Sequence, residues 1–127
     1  MYHLLVVDDE AKIRMLIRKY AEFEGHTVTE AENGMEAVEL CRKDPKQFDL
    51  IIMDVMMPEL DGLAATRAIR GMDRPDAQLP IIAMTANLFD EDVAACLAAG
   101  MDAHIPKPLE AGQMIRTIAE WLERKKQ

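Results

Sequence analysis

Two uninterrupted apolar runs, Leu4-Leu5-Val6-Val7 and Leu50-Ile51-Ile52-Met53, each end abruptly on carboxylates: Asp8 and Asp9 after the first, Asp54 after the second. A run that is apolar at every position, not at alternate ones, suits a strand covered on both faces. Such strands lie inside parallel sheets. Parallel neighbours need a crossover between them, so helices must flank the sheet on both sides. Two strands that eject acids at their C-terminal ends then imply one shared acidic pocket, and such a pocket calls for a cation.

The rest of the chain keeps this rhythm. Short apolar strands alternate with amphipathic helices five times along 127 residues, within the usual size of a single domain, taken here as 1–127. The first strand is expected at about 3–7. A helix follows from about Glu10 to Glu24, with Ile13, Leu16, Ile17, Tyr20 and Ala21 on one face and Gly25 as a stop. Thr27–Ala31 alternates polar and apolar, which suits an edge strand. Asn33-Gly34 opens a second helix, packing Ala37, Val38 and Cys41, that ends at Asp44-Pro45. The third strand, Asp49–Met53, is the central one. A helix from Gly62 to Arg70 releases into the polar loop Gly71–Gln78, and Pro80–Met84 forms the fourth strand. The fourth helix begins near Leu88, with Asp90-Glu91-Asp92 favouring its positive end, and stops at Gly100. After a fifth strand at Asp102–Ile105, the last helix carries Met114, Ile115, Ile118, Trp121 and Leu122 at three-and-four spacing. The pattern is that of a doubly wound α/β sheet.

A net charge of −8 repels nucleic acid and anionic membranes, so neither is expected as a direct partner. With only 5% aromatic residues the core must be aliphatic, and the ten methionines read as packing. Cys41 and Cys96 lie in apolar helical segments with no Cys or His at ligand spacing, which suits buried, reduced thiols. No signal peptide and no apolar stretch near 18 residues is visible, and the expected location is the cytoplasm.

Ligands of open α/β sheets bind beyond the carboxyl ends of the strands. There the first strand delivers Asp8 and Asp9, the third Asp54, the fourth Thr85, and the fifth leads through Pro106 to Lys107. Singly, each has an ordinary explanation: Asp9 as a helix cap, Asp54 as a turn residue, Thr85 as a β-branched strand end, Lys107 as a solvated loop charge. Together at one edge they make a poor coincidence. Three carboxylates and one ammonium leave a charge of −2. Each like-charge pair at about 4 Å costs roughly 4 kcal/mol at an effective dielectric near 20, so a divalent ion is needed. Oxygen ligands without His or Cys select Mg²⁺ ahead of Mn²⁺, and the twelve-residue loop of calcium sites is absent. A carboxylate beside Mg²⁺, a lysine and a hydroxyl suits a nucleophile for phosphoryl transfer. No P-loop or dinucleotide fingerprint points to a nucleotide as phosphate source.

The segments VVDDE (6–10), IIMDVMMPELDG (51–62), PIIAMTAN (80–87) and GMDAHIPKP (100–108) resemble the receiver domain of two-component response regulators over essentially the whole chain. The resemblance implies a flavodoxin-like five-stranded parallel sheet in order 2-1-3-4-5, with two helices on one face and three on the other. It implies that Asp54 accepts a phosphoryl group from a histidine of a partner kinase or histidine phosphotransfer domain. Mg²⁺ would be bound by Asp9, Asp54 and the Met56 backbone carbonyl, and by Asp8 largely through water. Lys107 would pair with Asp54 and then with the phosphoryl group, and Thr85 would swing its hydroxyl toward the phosphoryl oxygens. Ala86 leaves room for its N–H, and Met56 and Asn87 flank the path of hydrolytic water. The Lys107–Pro108 bond is expected cis. Family members usually carry Tyr or Phe three residues before the lysine. Here His104 takes that switch position, as a smaller ring that can titrate near neutrality.

The chain ends one helix after Lys107, so the expected output is a changed surface on helix four, strand five and helix five, near Val93, Leu97, Ala103 and Met114, with a possible phosphorylation-dependent dimer. MTAN and CLAAGMDAHIPKPL are similar to receivers of hybrid sensor histidine kinases, while the first half looks more like receivers of free-standing regulators. The first parentage is preferred. Two other classes stay open: a Mg²⁺-dependent aspartyl-phosphate hydrolase and a phosphorylation-independent interaction module. The hydrolases place their nucleophile in the first motif, and degenerate modules generally lose parts of the set that is complete here.

Overall fold

The computed structural model describes residues 2–44, 47–55, 61–71, 79–85, 90–107 and 109–125, with backbone alone at 90–93 and 125. The elements follow in the order β1 (His3–Val7), α1 (Ala11–Phe23), β2 (Thr27–Ala31), α2 (Gly34–Lys43), β3 (Leu50–Asp54), α3 (Gly62–Arg70), β4 (Ile81–Thr85), α4 (Asp90–Ala99), β5 (Ala103–Pro106) and α5 (Ala111–Lys125). The five strands form one sheet in the order β2-β1-β3-β4-β5, and every pairing is parallel.

Strand alternation sorts the apolar side chains into two cores. Leu4, Val6, Leu50, Ile52, Met84 and Ile105 face Ile17 and Ala21 of α1 and Met114, Ile118 and Leu122 of α5. Leu5, Val7, Ile51, Met53, Ile81 and Ala83 face Ala37, Val38 and Cys41 of α2, Ala65 and Ile69 of α3 and Cys96 of α4. Two helices therefore cover one face and three the other. Both β1 and β3 are fully buried along their apolar runs, while β2, with its polar alternation, lies at the edge. The methionines of the sheet and α5 are packing residues, and both cysteines are buried thiols outside any disulfide.

Local chemistry sets most helix ends. The Asn33 side chain accepts from the Glu36 N–H at 2.8 Å, and the Asp61 side chain accepts from the Ala64 N–H at 2.9 Å, so both cap helix N-termini. Gly25, with φ 88°, follows α1, and Gly100, with φ 109°, follows α4. Asp9 does not cap α1. The N-cap is Glu10, which makes no side-chain cap bond, and its own N–H donates to Asp8 Oδ1 at 2.9 Å.

The sheet departs from the sequence expectation at its functional edge. Strands β3, β4 and β5 each run one residue further, taking in Asp54, Thr85 and Pro106. Their ladders explain this: Asp54 registers with Met84, and Thr85 with Pro106. A proline is tolerated in β5 because that strand lies at an edge. At the opposite pole Arg70, ending α3, donates from Nε to the Gly100 carbonyl at 3.0 Å, from Nη1 to the Leu79 carbonyl at 2.6 Å and from Nη2 to Asp102 at 2.8 Å. The same Asp102 oxygen accepts from the Ile81 N–H at 2.9 Å.

Gly62 couples α3 to the acceptor strand. Its N–H donates to the Val55 carbonyl at 3.1 Å. A Cβ at this position would overlap the Asp54 carbonyl oxygen and come within 3.0 Å of Met53 Cγ. Gly62→Ala should therefore destabilise the fold by about 1–3 kcal/mol through overpacking against rigid backbone. Urea unfolding would register this as a lowered midpoint at unchanged slope, and an unaltered midpoint would mean that α3 does not bear on the strand.

Candidate functional site: an acidic pocket at the strand tips

Parallel register builds the pocket. Val7 of β1 registers with Met53 of β3, so the residues that follow, Asp8 just past β1 and Asp54 at the end of β3, stand at one level. Thr85 ends β4 beside them, and the Lys107 N–H donates to the Thr85 carbonyl at 2.9 Å, turning the chain after β5 toward the same edge. Asp8 is wholly buried, and Asp54 and Thr85 are 3% and 5% exposed; Asp9 alone among the acids is exposed.

The Lys107 ammonium stands between two carboxylates, 3.0 Å from Asp8 Oδ2 and 3.3 Å from Asp54 Oδ1. The sequence reading paired this lysine with Asp54; its nearer partner is Asp8. Burial, the largest single influence on the ammonium, pushes its pKa down. The Asp8 hydrogen bond, the charges of Asp54 and Asp8 and the Asp54 hydrogen bond together outweigh burial, and the pKa stands above the ordinary lysine value.

One carboxylate oxygen each from Asp8, Asp9 and Asp54 lies within 4.8 Å of the others, and no other such group of three His, Cys, Asp or Glu side chains occurs among the described residues. Oxygens sharing an octahedral Mg²⁺ with bonds of about 2.0–2.1 Å stand about 3–4 Å apart, a spacing compatible with this cluster, whose exposed member Asp9 has room to adjust. The donor set is all hard oxygen, which fits Mg²⁺. Of the other candidates, Met56, Ala86, Asn87 and the Lys107–Pro108 bond lie outside the described residues.

His104 is exposed and registers with Ala83 on the α2–α3–α4 face of the sheet. With Cys96, Leu97, Met101, Thr117 and Trp121 it lines a cleft of about 410 Å³ between α4, β5 and α5. Leu97 is 57% exposed, but Met114, grouped with it on sequence grounds, is fully buried in the other core, and the Val93 side chain lies outside the described residues. Thr117 and Trp121 were not assigned to this surface from sequence. Their helical spacing marks a packed face, yet a face that is half packed also lines a cleft.

A sequence model of the response regulator receiver domain matches residues 4–119. The chain belongs to that family. It is a receiver domain of two-component systems. The receiver is 40% identical over 120 residues to two-component system protein A of Emericella nidulans, covering 94% of this chain and 17% of that protein. It is 35% identical over 149 aligned positions to probable histidine kinase 1 of Oryza sativa subsp. indica, covering 94% of this chain and 15% of that one. The chain thus spans about a sixth of the length of these two relatives. Among solved structures, the receiver domain of sensor histidine kinase PA1611 from Pseudomonas aeruginosa, with a magnesium ion coordinated in its active-site cleft, superposes with a TM-score of 0.85 at 33% identity, covering 96% of this chain and 98% of that one. Receiver domains bind Mg²⁺ at an acidic pocket, and Asp8, Asp9 and Asp54 form an acidic cluster in this one. No helix among the described residues is long and apolar enough to cross a membrane.

A lysine whose pKa is raised on folding stabilises the receiver fully below its unfolded value, and that stabilisation is lost as pH rises through the folded value. Without Mg²⁺, Lys107→Met should cost roughly 3 kcal/mol at neutral pH, because it strands two buried carboxylates. The deficit should hold level with pH and shrink above the ordinary lysine value of 10.5. Denaturant unfolding of both chains across this range measures it; a deficit undiminished in strong alkali contradicts the ion-pair assignment.

Proposed function

We propose that this receiver accepts a phosphoryl group on Asp54 from a phosphohistidine of a histidine kinase or histidine phosphotransfer domain. The observation that carries the proposal is the convergence of Asp8, Asp9, Asp54 and Lys107 at one sheet edge, with Lys107 bonded to two of the three acids. In the reaction an Asp54 carboxylate oxygen attacks phosphorus, the P–N bond to the donor imidazole breaks, and the bonding pair leaves with the imidazole nitrogen. Asp54 is held by its strand at the pocket floor, 3% exposed, so an incoming group approaches from the open side of the edge alone. Asp8, Asp9, Asp54 and the Met56 carbonyl would hold Mg²⁺, which when bound neutralises phosphoryl oxygens.

Lys107 has a second task. Once the Asp54 oxygen carries the phosphoryl group as an acyl phosphate, its charge moves outward onto that group. The ammonium, already shared with Asp8, can follow it while keeping the Asp8 bond. Thr85, next to Lys107 through the 2.9 Å backbone bond, supplies the hydroxyl that turns toward the phosphoryl oxygens. Because β4 and β5 are paired there, displacement of Thr85 bears on β5 and on His104, whose ring borders the cleft between α4, β5 and α5. That cleft is the output surface in this reading. The signal then passes to a partner protein or a second receiver, in the cytoplasm, with neither nucleic acid nor membrane as a direct partner. The similarity to a histidine kinase favours attachment to a hybrid sensor kinase as parent architecture.

Incubation with phosphoramidate and Mg²⁺, followed by intact mass and peptide mapping, tests this reading. One phosphoryl adduct is expected, mapping to Asp54, abolished in Asp54→Asn and prevented by chelation of Mg²⁺. Lys107→Ala should still be labelled, with the rate reduced about 10²–10³-fold as a charge-stabilising group is removed, and should lose the response of the cleft surface. Full labelling of Asp54→Asn would refute the assignment.

A further inference from the structure

We infer that Arg14 is a positioning residue for the metal-binding turn, acting on Asp9 through the Asp8 backbone carbonyl. The inference rests on the proposed Mg²⁺ site and concerns what sets that site's geometry.

The ladder of β1 ends at Val7, yet every polar handle of the next residue is taken. The Asp8 N–H donates to the Ala31 carbonyl at 3.2 Å, Oδ1 accepts from the Glu10 N–H at 2.9 Å, and Oδ2 accepts from Lys107 Nζ at 3.0 Å. The fourth handle, the backbone carbonyl, accepts from Arg14 Nη1 at 2.7 Å. That carbonyl belongs to the planar peptide unit joining Asp8 to Asp9, and the next peptide is held by the Glu10 N–H on Asp8 Oδ1, so with both planes pinned the direction in which the Asp9 side chain leaves the backbone is set. Asp9 is the exposed member of the acidic cluster and lacks the burial that constrains Asp8 and Asp54. Arg14 therefore supplies an orientation that packing does not.

The guanidinium is itself held. Arg14 Nε donates to Glu30 Oε1 at 2.9 Å, and Arg18, one turn further along α1, donates from Nε to Glu30 Oε2 at 2.8 Å. Glu30 lies on β2, so the chain of contacts runs from the sheet edge through α1 back to the tip of β1. The Arg14 side chain is 11% exposed. Burial pushes the Glu30 carboxyl pKa up, but the hydrogen bonds and charges of Arg18 and Arg14 more than reverse this and keep it ionised as an anchor. The planar fork donates from Nε to the carboxylate and from Nη1 to the carbonyl in fixed, divergent directions, a geometry that the point charge of an ammonium does not preset.

The sign of the effect separates positioning from charge. A cation near the pocket repels Mg²⁺, so if Arg14 acted by charge alone its removal would tighten binding. Positioning requires the opposite. Isothermal titration with MgCl₂ should show Arg14→Met, which keeps the apolar stem, binding about 10-fold more weakly than the natural chain, as for loss of a group that orients a metal ligand. Arg14→Lys, with charge kept and fork lost, should fall between. In phosphoramidate labelling the Mg²⁺ concentration for half-maximal rate should rise by a similar factor, with a smaller change in rate at saturating Mg²⁺. Should Arg14→Met not fold, weakened binding in Arg14→Lys carries the same conclusion, since charge is unchanged. Equal or tighter Mg²⁺ binding by the folded variants overturns the inference alone, whereas a natural chain that binds no Mg²⁺ overturns both it and the proposed function.

Discussion

The receiver depends on one ammonium serving two buried acids. Asp8 and Asp54 leave adjacent strands at the same level, where hydrophobic walls weaken solvent screening and make their repulsion costly. Lys107 reaches both because β5 ends beside β4 and the chain turns back over Thr85. The pocket still carries an excess of negative charge once the lysine is counted. That excess favours a divalent cation, so the feature that burdens the free domain suits it to hold one.

Much of this was legible in the chain. Continuous apolar runs at Leu4–Val7 and Leu50–Met53 mark the two buried strands, and their shared direction is enough to bring Asp8, Asp9 and Asp54 together. Ladder pairing was less legible: it extends β3, β4 and β5 onto Asp54, Thr85 and Pro106 because neighbouring backbone supplies partners, a non-local property that local sequence does not carry. The same holds for Asp8 as the lysine's nearer partner. Gly62 read as a helix start, but only packing reveals that a side chain there would meet the Asp54 carbonyl. Met114 shows how a helical stripe misleads: its spacing fits α5's apolar face equally well as core or as surface, and it is core. Arg14 left a faint signal, two arginines four apart on α1 opposite one glutamate on an edge strand, too common a pattern to single out unaided.

The cleft between α4, β5 and α5 is a different kind of surface from the acidic edge. It is walled by Cys96, Leu97, Met101 and Trp121 and bordered by His104, so association there draws on apolar burial and ring packing more than on charge. The acidic edge and the cleft are thereby distinct surfaces, one at the C-terminal tips of the strands and the other beside the start of β5.

The Arg70 hub gives this separation a mechanical side. One guanidinium gathers the carbonyls of Leu79 and Gly100 and the Asp102 carboxylate, fastening α3, the entry to β4 and the entry to β5 at a single point. Asp102, held there by Arg70 and by the Ile81 N–H, also lines the cleft between α4, β5 and α5, so one wall of that cleft is tied directly to α3 and to the entry of β4.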